Sequence, residues 1–237
     1  MKKKIFIGVI LIVVILFISI ELFQGSTNNT NPEVVANLEG TIYFTERVDG
    51  VLTLFKSDAS LQNKTLFYSH KGKGDTGFGD YNDNIIDFNY DKSSQTVYFI
   101  AMQDGSWSLF SLHESENTPT LLQKEVMETE TAYLKNEYEN QTATSKKGTL
   151  YLLSEGNEKI IKKFHGLYDE KFTGYRPTGF SPDGKHLVYH SMEHATPLGT
   201  ILKGMVAETV GTTYIMNIST MESAEYVDAH NIQWVMD

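Results

Sequence analysis

The stretch Ile85–Gln123 reads IIDFNYDKSSQTVYFIAMQDGSWSLFSLHESENTPTLLQ and carries the clearest structural pattern in the chain. Short runs of apolar and aromatic residues alternate with polar turns, which is typical of consecutive β-strands. We predict strands at Thr96–Met102, at Trp107–Leu112 and near Leu121–Leu122. Asp104-Gly105 lies between the first two and favours a two-residue hairpin, because both residue types tolerate positive φ.

The same order of strand, tight turn and strand recurs in three other segments. Gly40–Ser69 (GTIYFTERVDGVLTLFKSDASLQNKTLFYS) has Asp49-Gly50 at the equivalent turn, and Gly148–Phe164 (GTLYLLSEGNEKIIKKF) turns at Glu155-Gly156-Asn157. Phe180–Tyr226 repeats the order with an insertion between its strands. The four units therefore indicate a β-repeat array. Their average spacing is somewhat longer than the roughly 40–45 residues of a common propeller blade.

The most specific segment is Phe180–Tyr189, FSPDGKHLVY. In Ser181–Gly184 the proline presets φ, the aspartate can bond its own backbone, and the glycine takes the left-handed position of a tight turn. The segment resembles the FSPDGK signature of TolB-like propeller repeats, which is also found in the propellers of the prolyl oligopeptidase family. Phe88–Ser93 and Ala143–Gly148 are weaker versions. The resemblance covers most of residues 40–237, with one repeat matching closely.

The resemblance implies an all-β fold, a small β-propeller of about four blades. The first unit lacks an innermost strand, whereas the sequence closes with an apolar run that has no following hairpin. Because propellers often close by pairing one terminus into the blade built by the other, we expect Ile232–Met236 to lie beside Thr41–Thr45. An open arc, or a ring with one unrecognised blade, remains an alternative.

The amino terminus predicts a membrane anchor before this domain. Residues 5–23 are almost entirely apolar, which favours one transmembrane helix, and no small-residue cleavage site follows them. Three lysines precede this segment, so residues 1–4 are predicted to stay in the cytoplasm and the remainder to lie outside. Gln24–Asn37 is polar and predicts a flexible tether, with residues 38–237 as the extracytoplasmic domain. Cleavage as a signal peptide is the alternative.

Charge and composition exclude several classes of partner and site. The chain has a formal net charge of −10, with 20 basic and 30 acidic residues; without the three amino-terminal lysines the balance is 17 against 30, or −13. This acidity argues against nucleic acid and against anionic lipid headgroups as partners. The absence of cysteine excludes disulfides, thiolate metal sites, cysteine nucleophiles and a lipid-modified cysteine.

Two segments contain residues that resemble metal ligands. His186 and His190 share a strand face with Val188, and His194 follows, so a metal site is one interpretation and solvent-facing strand residues are the other. The loop His70–Asn84 alternates Asp80, Asn82 and Asn84 like a calcium loop, but it lacks the glycine and glutamate of an EF-hand. A long connection that offers a contact surface is the preferred interpretation.

A second long excursion is the insertion Met192–Gly211, whose apolar positions fit one face of a short amphipathic helix. This helix would cover the propeller rim or offer a docking face for a partner. No Gly-x-Ser-x-Gly elbow, His-Glu-x-x-His motif or Walker loop is present. The clusters Glu125–Glu130 and Glu137–Glu139 keep a glycosidase carboxylate pair open, because such a pair is defined by its separation in space.

The sequence therefore predicts no catalytic, cofactor-binding or metal-binding residues and no cofactor. TolB-like domains are protein-interaction platforms in envelope complexes, so the resemblance implies a membrane-anchored, non-catalytic binding module with a protein partner in the cell envelope. One alternative is a sugar-binding or glycan-hydrolysing propeller that uses acidic residues around its central channel. Another is a small-ligand sensor that signals through its single helix. Whether the protein is an enzyme stays open, and the pattern favours that it is not.

Overall fold

The computed structural model describes residues 30–72, 83–164, 168, 170, 173–192 and 211–236. Within these residues lie sixteen β-strands and one four-residue helix, so the prediction of an all-β chain is confirmed. The helix is α1 (Glu33–Ala36), and the strands are β1 (Thr41–Val48), β2 (Val51–Asp58), β3 (Thr65–Tyr68), β4 (Ile85–Asp91), β5 (Thr96–Gln103), β6 (Ser106–His113), β7 (Thr120–Lys124), β8 (Glu137–Tyr138), β9 (Gln141–Lys146), β10 (Thr149–Ser154), β11 (Asn157–Lys162), β12 (Gly174–Phe180), β13 (His186–Met192), β14 (Thr212–Asn217), β15 (Ser223–Glu225) and β16 (Asn231–Val235).

The strands form four antiparallel sheets of four strands each, which matches the four repeat units of the sequence. Their orders are β16-β1-β2-β3, β4-β5-β6-β7, β11-β10-β9-β8 and β12-β13-β14-β15. The chain divides into two compact units. The first unit holds the first two sheets and comprises Val35–Lys135 and Val227–Asp237. The second unit holds the other two sheets and comprises Asn136–Tyr226 and the residues up to Val34.

The Asp-Gly pairs make the hairpins that the sequence predicts. Val48 pairs with Val51 across Asp49-Gly50, and both turn residues have positive φ, 50° and 87°. Asp104-Gly105 makes the same turn, with φ values of 51° and 80°. This geometry matches the right-handed twist of the flanking strands, which is why two-residue hairpins favour it.

Two further hairpins turn in the same way in the second unit. Glu155 and Gly156 have φ values of 51° and 79°, and Asn157 already begins β11. Lys147 and Gly148 have φ values of 48° and 77° and join β9 to β10. Ala143–Gly148, the weaker version of the repeat signature, thus spans the end of β9 and its turn into β10.

The carboxy-terminal strand completes the first sheet, as predicted. β16 pairs with β1 in antiparallel register from Thr41 opposite Val235 to Thr45 opposite Asn231. The backbone N–H of His230 extends the pairing to the Thr45 carbonyl at 2.9 Å. Strand pairing thus covers an edge of β1 that would otherwise be open.

Each unit has its own aromatic core. In the first unit, side chains from both sheets pack together, and the stacked rings of Phe99 and Phe110 lie 5.3 Å apart between centroids. The cluster comprises Tyr43, Leu54, Ile85, Phe88, Tyr90, Val97, Phe99, Ala101, Phe110 and Leu112. The core of the second unit comprises Ala143, Leu150, Leu152, Ile161, Tyr175, Phe180, Leu187, Tyr189, Tyr214 and Met216.

The Ser181–Gly184 turn joins β12 to β13, as its sequence predicts. Ser181 N–H donates to the His186 carbonyl at 2.9 Å, Gly184 N–H donates to the Ser181 carbonyl at 2.9 Å, and Gly184 has φ 68°. The predicted start of this repeat at Phe180 is wrong, because β12 already begins at Gly174. Pro177 lies within this strand, and a proline in a sequence argues against a strand. β12 tolerates the proline because it is an edge strand with a register shift at that position.

Part of the predicted tether is ordered. Thr30 forms a parallel bridge with Ser223, and Asn31 N–H donates to the Ser223 carbonyl at 2.7 Å. The Asn31 side chain then accepts from Glu33 N–H at 3.0 Å, at the start of α1. The predicted anchor at residues 5–23 lies outside the described residues. Among the residues that are described, no helix is long and apolar enough to span a membrane.

Candidate functional site

A groove forms in the first unit where β3 leaves the side of β2. β3 ends with Tyr68 opposite Leu54, whereas β2 extends further to Val51. The first residues of β2, from Val51 to Thr53, therefore pair only with β1 among the described strands. The Leu52 N–H donates instead to the side-chain oxygen of Asn84 at 2.6 Å, so a side chain takes the place of the missing strand.

The groove has a volume of about 300 Å³ and is mainly apolar. Strand register places Val48 opposite Val51 and Phe55 opposite Leu66, so these side chains share one face of the sheet. Leu66 is 59% exposed and Val48 is 42% exposed. The full lining is Val48, Asp49, Val51, Thr53, Phe55, Leu66, Ser69 and Lys71.

The two lysines at the groove are both paired with acids. Lys71 contacts Asp83 at 2.7 Å, and Lys64 contacts Glu46 while its ammonium lies 4.6 Å from the centroid of the Phe55 ring. Asp49, in the β1–β2 turn, has no ion pair with any residue that the structure describes. Of the charged residues that line the groove, Asp49 is therefore the one without an ion pair in the described part of the chain.

The neck of the predicted contact loop His70–Asn84 borders this groove. Asp83 accepts from the Gly72 N–H at 2.9 Å as well as from Lys71, which ties the two ends of the loop together. Burial raises the pKa of Asp83, whereas these hydrogen bonds lower it. The hydrogen bonds prevail, so the pKa of Asp83 lies below its usual value. Residues 73–82 lie outside the described residues, so Asp80 and Asn82 do too. The Asn84 oxygen already accepts from Leu52.

His70 is buried under the loop neck, where sequence reasoning expected a surface residue. Its Nε2 lies 2.7 Å from the Met102 carbonyl, which makes Nε2–H the donor. Its Nδ1 has no hydrogen-bond partner among the described residues. Burial lowers the pKa of His70 below its ordinary value, against the opposing effects of the Met102 hydrogen bond and of Asp83.

The histidines of β13 share a face but are only half-buried. His190 Nδ1 lies 3.4 Å from the Thr213 hydroxyl, and His186 Nε2 lies 3.5 Å from the Asn217 amide. Val188 between them is fully buried, so this face is not the solvent-facing one that the alternative interpretation assumed. His194 lies outside the described residues. Within the residues that are described, no group of three His, Asp or Glu side chains fits a metal ion.

The acidic clusters named from sequence are on the surface. The acids of Glu125–Glu130 and of Glu137–Glu139 are exposed. A glycosidase acid needs a raised pKa from burial or a close like charge, and exposure removes the first of these. The glycan-hydrolysing alternative therefore gains no support from these clusters.

Sequence reasoning missed two hydrogen-bonded carboxylates in the first unit, the buried Asp87 and the half-buried Glu114. Asp87 accepts from Thr129 N–H at 2.7 Å, from the Thr129 hydroxyl at 3.0 Å and from the Tyr133 hydroxyl. Glu114 accepts from Lys56 at 2.6 Å and from the Tyr43 hydroxyl. Burial raises the pKa of Tyr43 and of Tyr133, and the carboxylate beside each phenol raises it further.

Both networks connect segments far apart in sequence, and that is why no local pattern indicated them. Tyr43 and Glu114 are 71 positions apart, and Asp87 and Tyr133 are 46 apart. The Glu114 network joins the two sheets of the first unit, since Lys56 and Tyr43 belong to one sheet and Glu114 follows β6 of the other. Asp87 secures the segment that follows β7 against β4. These contacts are structural.

Comparison with solved structures finds distant likenesses. No family model matches the chain, and no characterised protein sequence matches it. Among solved structures, TolB from Acinetobacter baumannii matches with a TM-score of 0.28 at 10% identity over 78% of this chain and 41% of that one. A putative TolB from Agrobacterium tumefaciens matches with a TM-score of 0.26 at 12% identity, over 83% and 64% respectively.

A nidogen/laminin complex structure matches with a TM-score of 0.26 at 9% identity, over 78% of this chain and 61% of that one. This chain thus spans less than two thirds of the length of each of the three structures. At such TM-scores the description of the fold rests on the four antiparallel sheets themselves.

Proposed function

We propose that this protein is a non-catalytic binding module that engages a partner protein in the cell envelope. In this proposal residues 5–23 anchor the chain in the membrane, and the domain outside the cytoplasm is a small propeller of the TolB-like kind. The observation that carries the proposal is the apolar groove beside Leu66. The resemblance of the Phe180–Tyr189 segment to TolB-like repeats supports the same function.

An exposed apolar groove needs a reason, because contact with water makes it unfavourable. Leu66 and Val48 expose much of their side chains on one sheet face, and Phe55 between them is only half-buried. Contiguous apolar surface rimmed by polar residues marks interaction sites in soluble domains. Asp49, Ser69 and Lys71 supply such a rim. A protein surface with apolar side chains is the occupant that fits this composition.

The hydrogen bonds of the Asp87 and Glu114 carboxylates support binding over catalysis. Asp87 and Glu114 direct their oxygens to hydrogen bonds with neighbouring residues of the fold. A catalytic acid or base must face a site that substrate can enter. The acids of the clusters Glu125–Glu130 and Glu137–Glu139 are exposed to water. They therefore lack the burial that adapts a carboxyl group for acid catalysis.

Photo-crosslinking in the intact host cell tests this function. A photoreactive phenylalanine analogue replaces Leu66 in the full chain, and a matched chain carries it at Leu153, an exposed leucine of β10. We expect a discrete protein adduct in the membrane fraction from position 66 and none from position 153. Protease added to protoplasts should digest the domain, because it lies outside.

Two results would contradict the proposal. One is the lack of any adduct from position 66, with or without hydrolysis of a glycan or peptide by the purified chain that one carboxylate substitution abolishes. The other is a domain that stays protected from protease in intact protoplasts, which would reverse the orientation. A shortened, secreted form would refute the anchor alone.

A further inference from the structure

We infer that the groove between Val48 and Leu66 binds an extended segment of the partner that carries an aliphatic side chain next to a basic one. This inference rests on the proposed function and specifies its partner. Three features of the groove carry it: its apolar lining, the edge of β3, which has no second strand neighbour among the described residues, and the Asp49 carboxylate, which has no ion pair there.

The lining selects an aliphatic side chain. Phe55 forms the floor, and Val51 and Leu66 flank it on the same sheet face. The Lys64 ammonium lies at 4.6 Å from the Phe55 ring centroid, so one side of the ring is already occupied by a cation. The remaining surface is aliphatic and aromatic carbon, and burying a leucine or valine there removes apolar area of both partners from water.

The adjacent edge selects an extended segment. β3 is the last strand of its sheet, and within the described residues its only strand neighbour is β2. The outward backbone groups of an edge strand can pair with an added strand, while alternate side chains of that strand enter pockets beside it. Leu66 belongs to β3 and lines the groove, so one bound segment would reach both the edge and the apolar surface.

The charges select a basic neighbour. The positive charges of Lys64 and Lys71 are balanced by Glu46 and Asp83 at short distances. Asp49 has no basic partner among the described residues. Arg47 alternates with Val48 along β1, and its guanidinium donates to the Gly50 carbonyl. A lysine or arginine of the partner would therefore find an unpaired carboxylate at the end of the groove.

Fluorescence anisotropy with a defined peptide tests the inference on the purified full chain. The probe is a fluorescein-labelled peptide with a central Leu-Val-Lys-Leu sequence between Gly-Ser flanks. Two counterparts replace its lysine by glutamate or its leucines by serine. We expect the first peptide to bind most tightly, and each counterpart to bind several-fold more weakly.

Substitutions in the protein locate the binding site. Leu66→Ser should weaken the peptide about tenfold, and Asp49→Asn about threefold with a smaller dependence on salt. Two matched controls should leave binding unchanged. They are Leu122→Ser, on the exposed edge strand β7, and Asp104→Asn, in the equivalent hairpin turn. Val48→Thr serves as a second groove variant should Leu66→Ser fold poorly, since threonine keeps the β-branched shape.

Any of three results would overturn the inference. The first peptide does not bind, the glutamate peptide binds equally well, or neither Leu66→Ser nor Val48→Thr changes the binding. If cross-links still form from position 66 in the cell, any of these results refutes the partner's chemistry and leaves the proposed function intact. Failure of the cross-link itself refutes the function.

Discussion

The side-chain amide of Gln233 pairs with the backbone of Tyr90 in both directions. The Gln233 Nε2 donates to the Tyr90 carbonyl at 2.7 Å, and its Oε1 accepts from the Tyr90 N–H at 2.7 Å. β4 is an edge strand, so these backbone groups have no strand neighbour on that side. Two positions earlier, the Phe88 N–H donates to the Tyr133 hydroxyl at 2.9 Å. Side chains thus satisfy the edge of β4 and link β16 to the second sheet.

Replacing Gln233 by alanine should cost about 3 kcal/mol of unfolding free energy, because it leaves two buried backbone groups without partners. Gln233→Glu should also destabilise, since a carboxylate cannot donate to the Tyr90 carbonyl. Urea unfolding followed by circular dichroism measures both effects. Gln123→Ala, an exposed glutamine of β7, is the matched control and should change stability by less than about 0.5 kcal/mol. Equal effects at both positions would show that the pairing contributes nothing.

Deleting Asn231–Asp237 should destabilise the first unit as a whole. The deletion removes the β1–β16 pairing and the buried Trp234, whose indole N–H donates to the Glu39 carbonyl at 2.9 Å. Loss of a large buried aromatic alone costs roughly 3–5 kcal/mol. Deleting only the last two residues leaves β16 intact and is the control. Thermal melts of both chains decide the matter: an unchanged melting temperature for the longer deletion would refute the closure.

Gly184→Ala should destabilise more than Gly156→Ala, although both glycines have positive φ, 68° and 79°. A Cβ at Gly184 would lie 2.3 Å from the Tyr138 ring, whereas nothing lies within 4 Å of one at Gly156. We expect about 1 kcal/mol at Gly156 from backbone strain and more at Gly184. Adding Tyr138→Ala should remove the excess in a double-mutant cycle under urea. A cycle without coupling would contradict the steric explanation.

Acidification should destabilise the fold below pH 6.5, partly through His70. Burial lowers the pKa of His70 in the folded chain below the ordinary value of 6.5, so the unfolded chain binds the proton first as the pH falls. The effect is absent near neutrality, begins around pH 6.5 and grows until the folded-state pKa is reached. His186 and His230 also have lowered pKa values and contribute in the same direction.

His70→Gln isolates the contribution of this histidine, because glutamine can still donate to the Met102 carbonyl but does not titrate. Urea unfolding between pH 7.5 and pH 5 should show a shallower loss of stability for this variant. His113→Gln, at the half-buried end of β6, is the matched control. Carboxylates with lowered pKa values, such as Asp183 and Glu114, act in a separate window below about pH 4.5. Parallel profiles for His70→Gln and the unaltered chain would refute the assignment.

Local signals in the sequence were sufficient for the hairpins and for the closing strand. Asp49-Gly50 and Asp104-Gly105 indicate their turns directly, because few residue pairs accept two positive φ values. Lys147-Gly148 makes the same turn, but lysine is not a typical residue for the first position. The missing strand before Thr41 and the unpaired apolar run at the end of the chain together predicted β16.

The groove was not predictable, because it depends on where one strand ends and another continues. β3 stops at Tyr68, and Asn84, 32 positions from Leu52, supplies the hydrogen bond that a strand would have given. The periodicity of apolar residues in the sequence does not predict such a contact. His70 looked like a loop residue from its glycine-rich neighbours, whereas it packs against Phe99 and Phe110. Long-range burial decides these positions, and a single sequence does not show it.

The pairing of β16 with β1 also determines when the protein can finish folding. Glu39 and Trp234 meet across 195 positions of chain, so nearly all of the domain leaves the ribosome before its first sheet is complete. Until then β1 presents an unpaired edge with Ile42 and Phe44 beside it. A stalled or prematurely ended chain would keep that edge exposed, which makes it a target for aggregation or for quality-control proteases.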